Sequence, residues 1–276
     1  VNWTNANPGD TGEMIELAHQ HGAALDLMDE AWWIPGSLPP HGGPPYMHNM
    51  DISKPHCIIV NRRGKRIFNE SQSYMENGHA LHAHDVPAHV ILDSRHRRRY
   101  AWGTQPPGST PRDWFDSGFM KTAQTVEELG VKCGIDPSGL KAEIERFNSF
   151  AKSGKDIDFH RGERAFDRWY GDPYVKPNPN LGAIDKPPFY AMEIVPGDVG
   201  TAGGIVTDEH ARVLRADGSV IAGLYATGNS TASVMGRCYP GAGASIGASF
   251  VFAWLAAHHS AGKIGASAGP NDEEQP

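Results

Sequence analysis

The stretch Gly236-Arg237-Cys238-Tyr239-Pro240-Gly241-Ala242-Gly243-Ala244-Ser245-Ile246-Gly247 leads into an apolar run that ends near His259. Glycines at 241, 243 and 247 permit positive φ and let a flat ligand approach the backbone closely. The run from Ser245 to His259 predicts a helix. A helix opening there carries unpaired N–H groups and a partial positive charge at its start. That arrangement suits a phosphate, or the anionic N1–C2=O edge of a reduced flavin. The spacing is G-x-G-x-x-x-G, which differs from the dinucleotide fingerprint, and no Gly-Lys-Ser/Thr follows to make a P-loop. Taken alone, a tight turn with close helix packing explains these glycines equally well.

Working outward, Leu224-Tyr225-Ala226 predicts a short strand that feeds a glycine-rich loop from Gly228 to Gly243. Gly228 and Asn229 then stand at the C-terminal end of a strand, where α/β folds place ligands. Asn229 serves equally well to stabilise its own turn. Further strands are predicted at Gly204–Thr207 and Ala211–Leu214, with a turn at Asp217-Gly218. Residues Thr11 to Met28 carry helical spacing, with Asp10 or Thr11 as the cap. Trp32 to Met50 is rich in Pro and Gly and reads as an irregular loop bearing Trp32, Trp33 and Tyr46. Cys57–Val60, the turn Asn61–Gly64 and Arg66–Phe68 read as a hairpin, and His89–Asp93 as a strand. Helices are predicted at Thr125–Leu129 and Ser138–Lys152, the second entered through Asp136-Pro137. Asp156 to Pro188 reads as a long ordered loop or as the return from one domain to another, and the polar tail Asn271–Pro276 as disordered.

The chain has 276 residues, a formal net charge of −7, 39% hydrophobic and 21% charged residues, as in globular proteins. Nucleic acid and anionic membranes are poor partners for that charge. The basic run Arg95–Arg99 lacks interleaved aromatics and reads as a solvated face rather than a phosphate patch. Cys57, Cys133 and Cys238 show neither metal-ligand spacing nor a disulfide framework, which points to a reducing, cytoplasmic compartment. No apolar span approaches the ~20 residues of a membrane helix. His79, His82, His84 and His89 fit no single element, so a metal site is not expected and solvent-facing histidines are. The sequence opens on Val1 and runs at once into a helix pattern, which places the true start of the protein upstream as an expectation.

Gly223–Asn229, Ala232–Arg237 and Tyr239–Gly243 together resemble the C-terminal segment of bacterial 3-ketosteroid Δ1-dehydrogenases, within the fumarate reductase and succinate dehydrogenase flavoprotein group. Asn7–Gly12, Leu27–Trp33, Gly64–Ser71 with Tyr74, and Thr201–Gly204 resemble the same family. The resemblance implies mixed α/β and α+β architecture: a Rossmann-type FAD-binding domain, here residues 1–35 and 200–276, interrupted by an α+β catalytic domain, residues 36–199. It implies FAD as cofactor, a ketosteroid-like substrate, and removal of hydrogens from its C1 and C2.

By the same resemblance the Tyr239 hydroxyl and the Gly243 N–H hold the ketone oxygen, and Tyr74 is the base. Thr201, Gly203, Gly204, Gly228, Asn229, Ala244, Ser245 and Ile246 are the expected cofactor contacts. The residues themselves leave Tyr74 open as a surface tyrosine, Tyr239 as a packing tyrosine, and the 203–204 glycines as a simple bend. Trp32, Trp33 and Tyr46 either wall the steroid site or form a local apolar cluster. The family's G-x-G-x-x-G turn is absent from these residues. The expected partner is therefore an N-terminal FAD-binding portion, and this chain alone is expected to bind FAD weakly or not at all. The rivals are fumarate reductase-like C=C reduction, and a non-catalytic module without flavin. The fumarate type grips a dicarboxylate with several cations, whereas Arg237 is the one cation of this loop.

Overall fold

The computed structural model describes residues 3–84 and 86–263; the tail Asn271–Pro276 lies outside them. Helix α1 (Glu13–Gln20) opens with Glu13 and Glu16 in its first turn, favourable against the dipole. It is shorter than the predicted Thr11–Met28 helix. Gly22 takes φ +90°, and the chain turns there into strand β1 (Leu25–Asp26).

Strand β2 (Ala31–Ser37) corrects the loop expected from Trp32 to Met50, because all seven of its residues are buried. With both faces covered, Trp32, Trp33 and Ile34 show none of the alternation that marks a half-exposed strand. Then follow β3 (Tyr46–Met47), β4 (Cys57–Val60), α2 (Tyr74–His82), β5 (Ala88–Leu92) and α3 (Ser94–Arg99). The Asn61–Gly64 turn closes through an Asn61–Gly64 backbone bond of 2.9 Å, but its return strand is reduced to one bridge, Val60 with Arg66. Helix α4 (Arg112–Asp116) and strand β6 (Lys121–Ala123) precede α5 (Val126–Cys133) and α6 (Pro137–Ser153). Thr125 caps α5 by accepting from Glu128 N at 3.2 Å, and Asp136 caps α6 by accepting from Ser138 N at 3.1 Å. Helix α7 (Ala165–Trp169) interrupts the long 156–188 segment, and β7 (Phe189–Thr201) follows it. The last elements are β8 (Gly204–Ile205), β9 (Arg212–Leu214), β10 (Val220–Tyr225), a 3₁₀ turn (Gly228–Ser230) and α8 (Ala244–Ser260).

The chain divides into two units. The first holds residues 1–6 and 32–199. Its sheet has the order β3-β2-β7-β5-β4, with β6 added on β7. Ile58, Val60, Ile91 and Ala191 pack on one face against Leu129, Leu140, Ile144 and Phe147 of α5 and α6. Cys57, Ile59, Val90, Leu92 and Ile194 pack on the other against Phe68, Leu81, Trp102 and Trp114. Alternate residues of Cys57–Val60 therefore enter different cores, each side chain worth about 1.5–3 kcal/mol of burial.

Beside that second core the 156–188 segment is fastened by charges. Arg161 and Arg66 both reach Glu70 at 2.8 Å, and Arg66 reaches Asp156 at 2.9 Å, all fully buried. Arg161 also donates to the carbonyls of Cys57 and Lys54, both at 2.8 Å. Asn180 donates to Asp167 O at 2.7 Å and to Ser71 Oγ at 3.0 Å. This segment is a packed tie between distant parts of the unit.

The second unit holds residues 7–31 and 200–276. Strand β1 pairs antiparallel with β8, Leu25 opposite Ile205, and β9 pairs with β10. Ala18, Ala23, Ile205 and Val213 form its small core. Helix α8 is apolar all round, yet Ile246, Phe250, Val251 and Trp254 are each exposed by more than half. Among the described residues no helix is long and apolar enough to cross a membrane.

Candidate functional site

In the second unit the turn after β1 and the end of β7 are pressed together. Leu27 takes φ +54°, and the Glu30 carbonyl accepts from Ala202 N at 3.1 Å. Gly203 lies directly on this turn: a Cβ there would meet Leu27 O at 2.1 Å. Gly204 is equally confined, since a Cβ would meet Ser230 O at 2.4 Å. The bend reading of Gly203 and Gly204 is therefore satisfied by packing, and the same packing fixes where Thr201 ends its strand.

From this junction the chain is stitched to the glycine-rich loop. Ala202 O accepts from Ser233 N at 2.9 Å, and Ile205 O accepts from Ala232 N at 3.0 Å. The 3₁₀ turn with Gly228 and Asn229 sits beside α8, where Thr227 Oγ1 donates to Ser249 O at 2.9 Å. Gly228 takes φ +74°, and Asn229 is exposed. Thr201, Gly203, Gly204, Gly228, Asn229, Tyr239, Gly243, Ala244, Ser245 and Ile246 thus all fall in this one unit.

The start of α8 is open. Gly243 takes φ +93° as its N-cap, and Gly241 φ +156°. A Cβ at Gly241, Gly243 or Gly247 would meet nothing within 4 Å. Ala244 N bonds Gly241 O and Gly247 N bonds Gly243 O, whereas no backbone carbonyl among the described residues takes the Ser245 or Ile246 N–H. Two N–H groups in a roomy first turn form an anion-accepting end.

Arg237, the cation of this loop, is engaged. It donates to Glu30 at 2.9 Å and to Asp29 at 2.7 Å. Those hydrogen bonds raise the Arg237 pKa, and the same contact lowers that of Asp29. The signal for Asp29 and Glu30 in the sequence is an acidic pair directly before the Trp32-Trp33-Ile34 run. Tyr239 itself is half-buried.

Tyr74 belongs to the first unit, as the opening residue of α2. Gly78 stands one turn on, against Trp33, so by helical spacing Tyr74 shares the side of α2 that meets β2. Tyr46 packs on Trp114 and Phe119, with ring centroids 5.8 and 6.1 Å apart, and Trp32 and Trp33 are buried. These three aromatics are built into the first unit as apolar clusters.

Two expectations of solvent exposure hold only in part. Arg97 is buried and donates to Tyr100 O at 3.0 Å and Thr110 Oγ1 at 3.2 Å, while Arg95 pairs with Asp93 and Asp185. Arg95 and Arg97 are taken up by internal acceptors, whereas Arg98 and Arg99 are exposed, Arg99 pairing with Asp172 at 2.9 Å. His89 is only 3% exposed on a central strand, and burial, aided by Lys121 and Arg62, lowers its pKa to about 4. His79 and His82 lie on α2 beside Trp33, and His82 and His84 are exposed as expected. Among the described residues no three His, Cys, Asp or Glu side chains converge on a metal position, and the three cysteines are unpaired.

A mixed α/β chain with a glycine-rich, anion-accepting helix start is the class of a flavin- or nucleotide-binding protein. Residues 1–246 match the FAD-binding domain family, and the chain belongs to it. It is 47% identical over 274 residues to 3-oxosteroid 1-dehydrogenase of Mycobacterium tuberculosis, covering 95% of this chain and 48% of the relative. It is 40% identical to 4-oxocyclohexanecarboxylate 2-dehydrogenase of Sinomonas cyclohexanicum, covering 93% of this chain and 46% of the relative. Among solved structures it is similar to 3-ketosteroid Δ1-dehydrogenase from Sterolibacterium denitrificans in complex with 1,4-androstadiene-3,17-dione. The TM-score there is 0.89 and the identity 41%, over 94% of this chain and 48% of that one. The chain spans about half the length of the relatives it matches.

FAD is the cofactor of this family. The open first turn of α8, with the Ser245 and Ile246 N–H groups and no steric obstacle at Gly241, Gly243 or Gly247, has room and donors for an anionic group of that molecule.

Proposed function

We propose that this protein is a flavin-dependent dehydrogenase that introduces a double bond between C1 and C2 of a 3-ketosteroid-like substrate. One observation carries the reading beyond likeness to relatives. The loop that bears Tyr239 presents a half-buried phenol and an open helix start, while its single cation is already neutralised by Glu30 and Asp29. Such a surface accepts a neutral ketone and offers no unspent positive charge to a carboxylate. That disfavours fumarate-type reduction, which needs cations to hold a dicarboxylate.

In this reading the Tyr239 hydroxyl and the Gly243 N–H donate to the C3 ketone oxygen. Hydrogen bonds that strengthen as negative charge grows on that oxygen acidify the C2 proton. Tyr74 accepts that proton; its reference pKa near ~10 calls for a relay or a depressed value at neutral pH. FAD, when bound, supplies the acceptor for the hydride leaving C1. Thr201, Gly203, Gly204, Gly228, Asn229, Ala244, Ser245 and Ile246 form the edge that receives the cofactor, with the last two as N–H donors.

The second unit, residues 7–31 and 200–276, is read as part of a Rossmann-type FAD-binding domain that takes in residues 1–35 and 200–276. The catalytic domain, residues 36–199, interrupts it. The apolar exposed side of α8 supports an FAD-binding portion outside this chain as its partner. Three unpaired cysteines favour a reducing, cytoplasmic location.

The test is anaerobic mixing of a 4-ene-3-ketosteroid with the longest form of the protein, reconstituted with FAD, while flavin absorbance is followed. Bleaching that Tyr239→Phe abolishes is the expected result. A bound flavin that stays oxidised discards the steroid and returns the question to other enones, among them the smaller oxocyclohexane acids of the Sinomonas relative's class.

A further inference from the structure

The ion pairs of Arg237 sit two residues from Tyr239, and their geometry is uneven. Arg237 and Asp29 are exposed on their side chains by 53% and 73%, so that contact alone is weak. Glu30 is different: its side chain is 2% exposed. One of its oxygens accepts from its own chain at Ala31 N, 3.1 Å, and the other takes the Arg237 guanidinium at 2.9 Å. A carboxylate that deep needs its partner, so Arg237 is drawn to one place.

What that place controls follows from the backbone. The loop is fastened at Ser233 to Ala202, closes a turn from Gly236 to Ser233 O, and resumes regular structure only at Ala244. Between them lie Arg237, Cys238, Tyr239, Pro240, Gly241, Ala242 and Gly243, with Gly236, Gly241 and Gly243 all at positive φ. Three such glycines leave a segment that its own backbone does little to define. A planar guanidinium gripping two adjacent carboxylates defines it from the side. The turn it grips is itself fixed, since Gly203 lies with no room for a methyl against Leu27 O.

We infer that Arg237 is a positioning residue that locks the Tyr239 loop to the Asp29–Glu30 turn, and so sets the place of the phenol that receives the substrate carbonyl. The role of the phenol rests on the function proposed above; the clamp does not.

The experiment compares wild type, Arg237→Lys and the double variant Arg237→Met with Glu30→Gln, each in the longest form of the protein reconstituted with FAD. Two readouts are taken: amide hydrogen exchange of peptides spanning 236–243, and kcat and KM for a 4-ene-3-ketosteroid. The double variant removes the buried charge together with its partner, so it keeps the melting temperature near wild type. Clamping predicts that its 236–243 amides nevertheless exchange about 10-fold faster or more, with β8 and α8 unchanged. It also predicts a kcat lower by about 10- to 100-fold, the size of effect that a misplaced group produces. Lysine keeps charge but lacks the fork, so Arg237→Lys loosens the same peptides and serves where the double variant does not fold. Loop exchange at the wild-type rate in either folded variant overturns the clamp and leaves Arg237 as a mere neutraliser of Glu30. If wild type turns over no steroid while the loop still loosens, the function fails and the clamp stands.

Discussion

Gly78 of α2 lies on Trp33 of β2 so closely that a Cβ at Gly78 would stand 2.4 Å from the tryptophan Cβ and 2.9 Å from its carbonyl carbon. In an isolated helix alanine would be preferred to glycine by about 1 kcal/mol. Here the sign reverses, because the obstacle includes backbone that has no rotamer to escape through. Gly78→Ala is expected to cost a net 1–3 kcal/mol or so, read as a fall of several degrees in melting temperature. Because Tyr74 is one turn away, the variant also shifts the proposed base, and its loss of kcat should exceed its loss of stability.

Gly203→Ala is the harsher change. Its Cβ would meet Leu27 O at 2.1 Å and Met28 Cα at 2.8 Å, both backbone atoms. The turn from Leu27 to Glu30 must move, taking with it the Ala202–Glu30 hydrogen bond. Thermal unfolding of the variant is expected to show early loss of the second unit, with the first melting as in wild type. A wild-type melting profile would contradict this close approach.

Acid stability follows from buried groups of the first unit. His89 and His96 have their pKa lowered to about 4 from an ordinary 6.5, chiefly by burial. Between those values the unfolded chain binds protons that the folded chain refuses, so stability falls as pH drops from about 6.5 to 4, by a few kcal/mol per histidine. Glu70 and Asp156 are held below their ordinary 4.5 and 3.8 by Arg66 and Arg161 for the first, and by Arg66 with backbone donors for the second, against opposing burial. Their contribution is present above those values and is lost as pH falls further. Urea melts across pH 7 to 4 should therefore show a sloping acid limb that His89→Leu makes shallower.

The bare apolar side of α8 has a measurable consequence in this 276-residue chain. Phe250 and Trp254 are 69% and 55% exposed, one turn apart. Contiguous apolar surface of this kind drives association. Replacing both by polar residues, Phe250→Ser with Trp254→Gln, should lower self-association in sedimentation and reduce binding of an apolar dye. Unchanged association would place the sticky surface elsewhere.

The sequence is legible where the chemistry is local. Thr125 and Asp136 announce α5 and α6 because a cap needs only the next three residues. Cys57–Val60 and the α8 run likewise follow from composition. Ala31–Ser37 and Phe189–Thr201 were missed as strands, since Pro35, Gly36, Pro196 and Gly197 argue against a ladder locally and only the tertiary sheet outweighs them. The carbonyls of Cys57 and Lys54 that take Arg161 lie 104 and 107 positions away from it, so its burial leaves no local signal. For the candidate site, the glycine-rich loop and its helix were legible. The grip of Arg237 on Glu30 was not, because it joins residues 207 positions apart.

The division of the second unit between residues 7–31 and 200–276 also sets an order of events at the ribosome. Leu25 and Asp26 emerge early, but their ladder partners Ile205 and Gly204 are made only after the whole sheet of the first unit has been synthesised. At ordinary elongation rates of about 5–20 residues per second, β1 waits roughly ten seconds or longer with its edge unmatched. During that interval the nascent chain holds a finished first unit and an unfinished second one. Chaperone dependence is accordingly expected to centre on residues 7–31, which are made before most of the first unit and complete their fold after it.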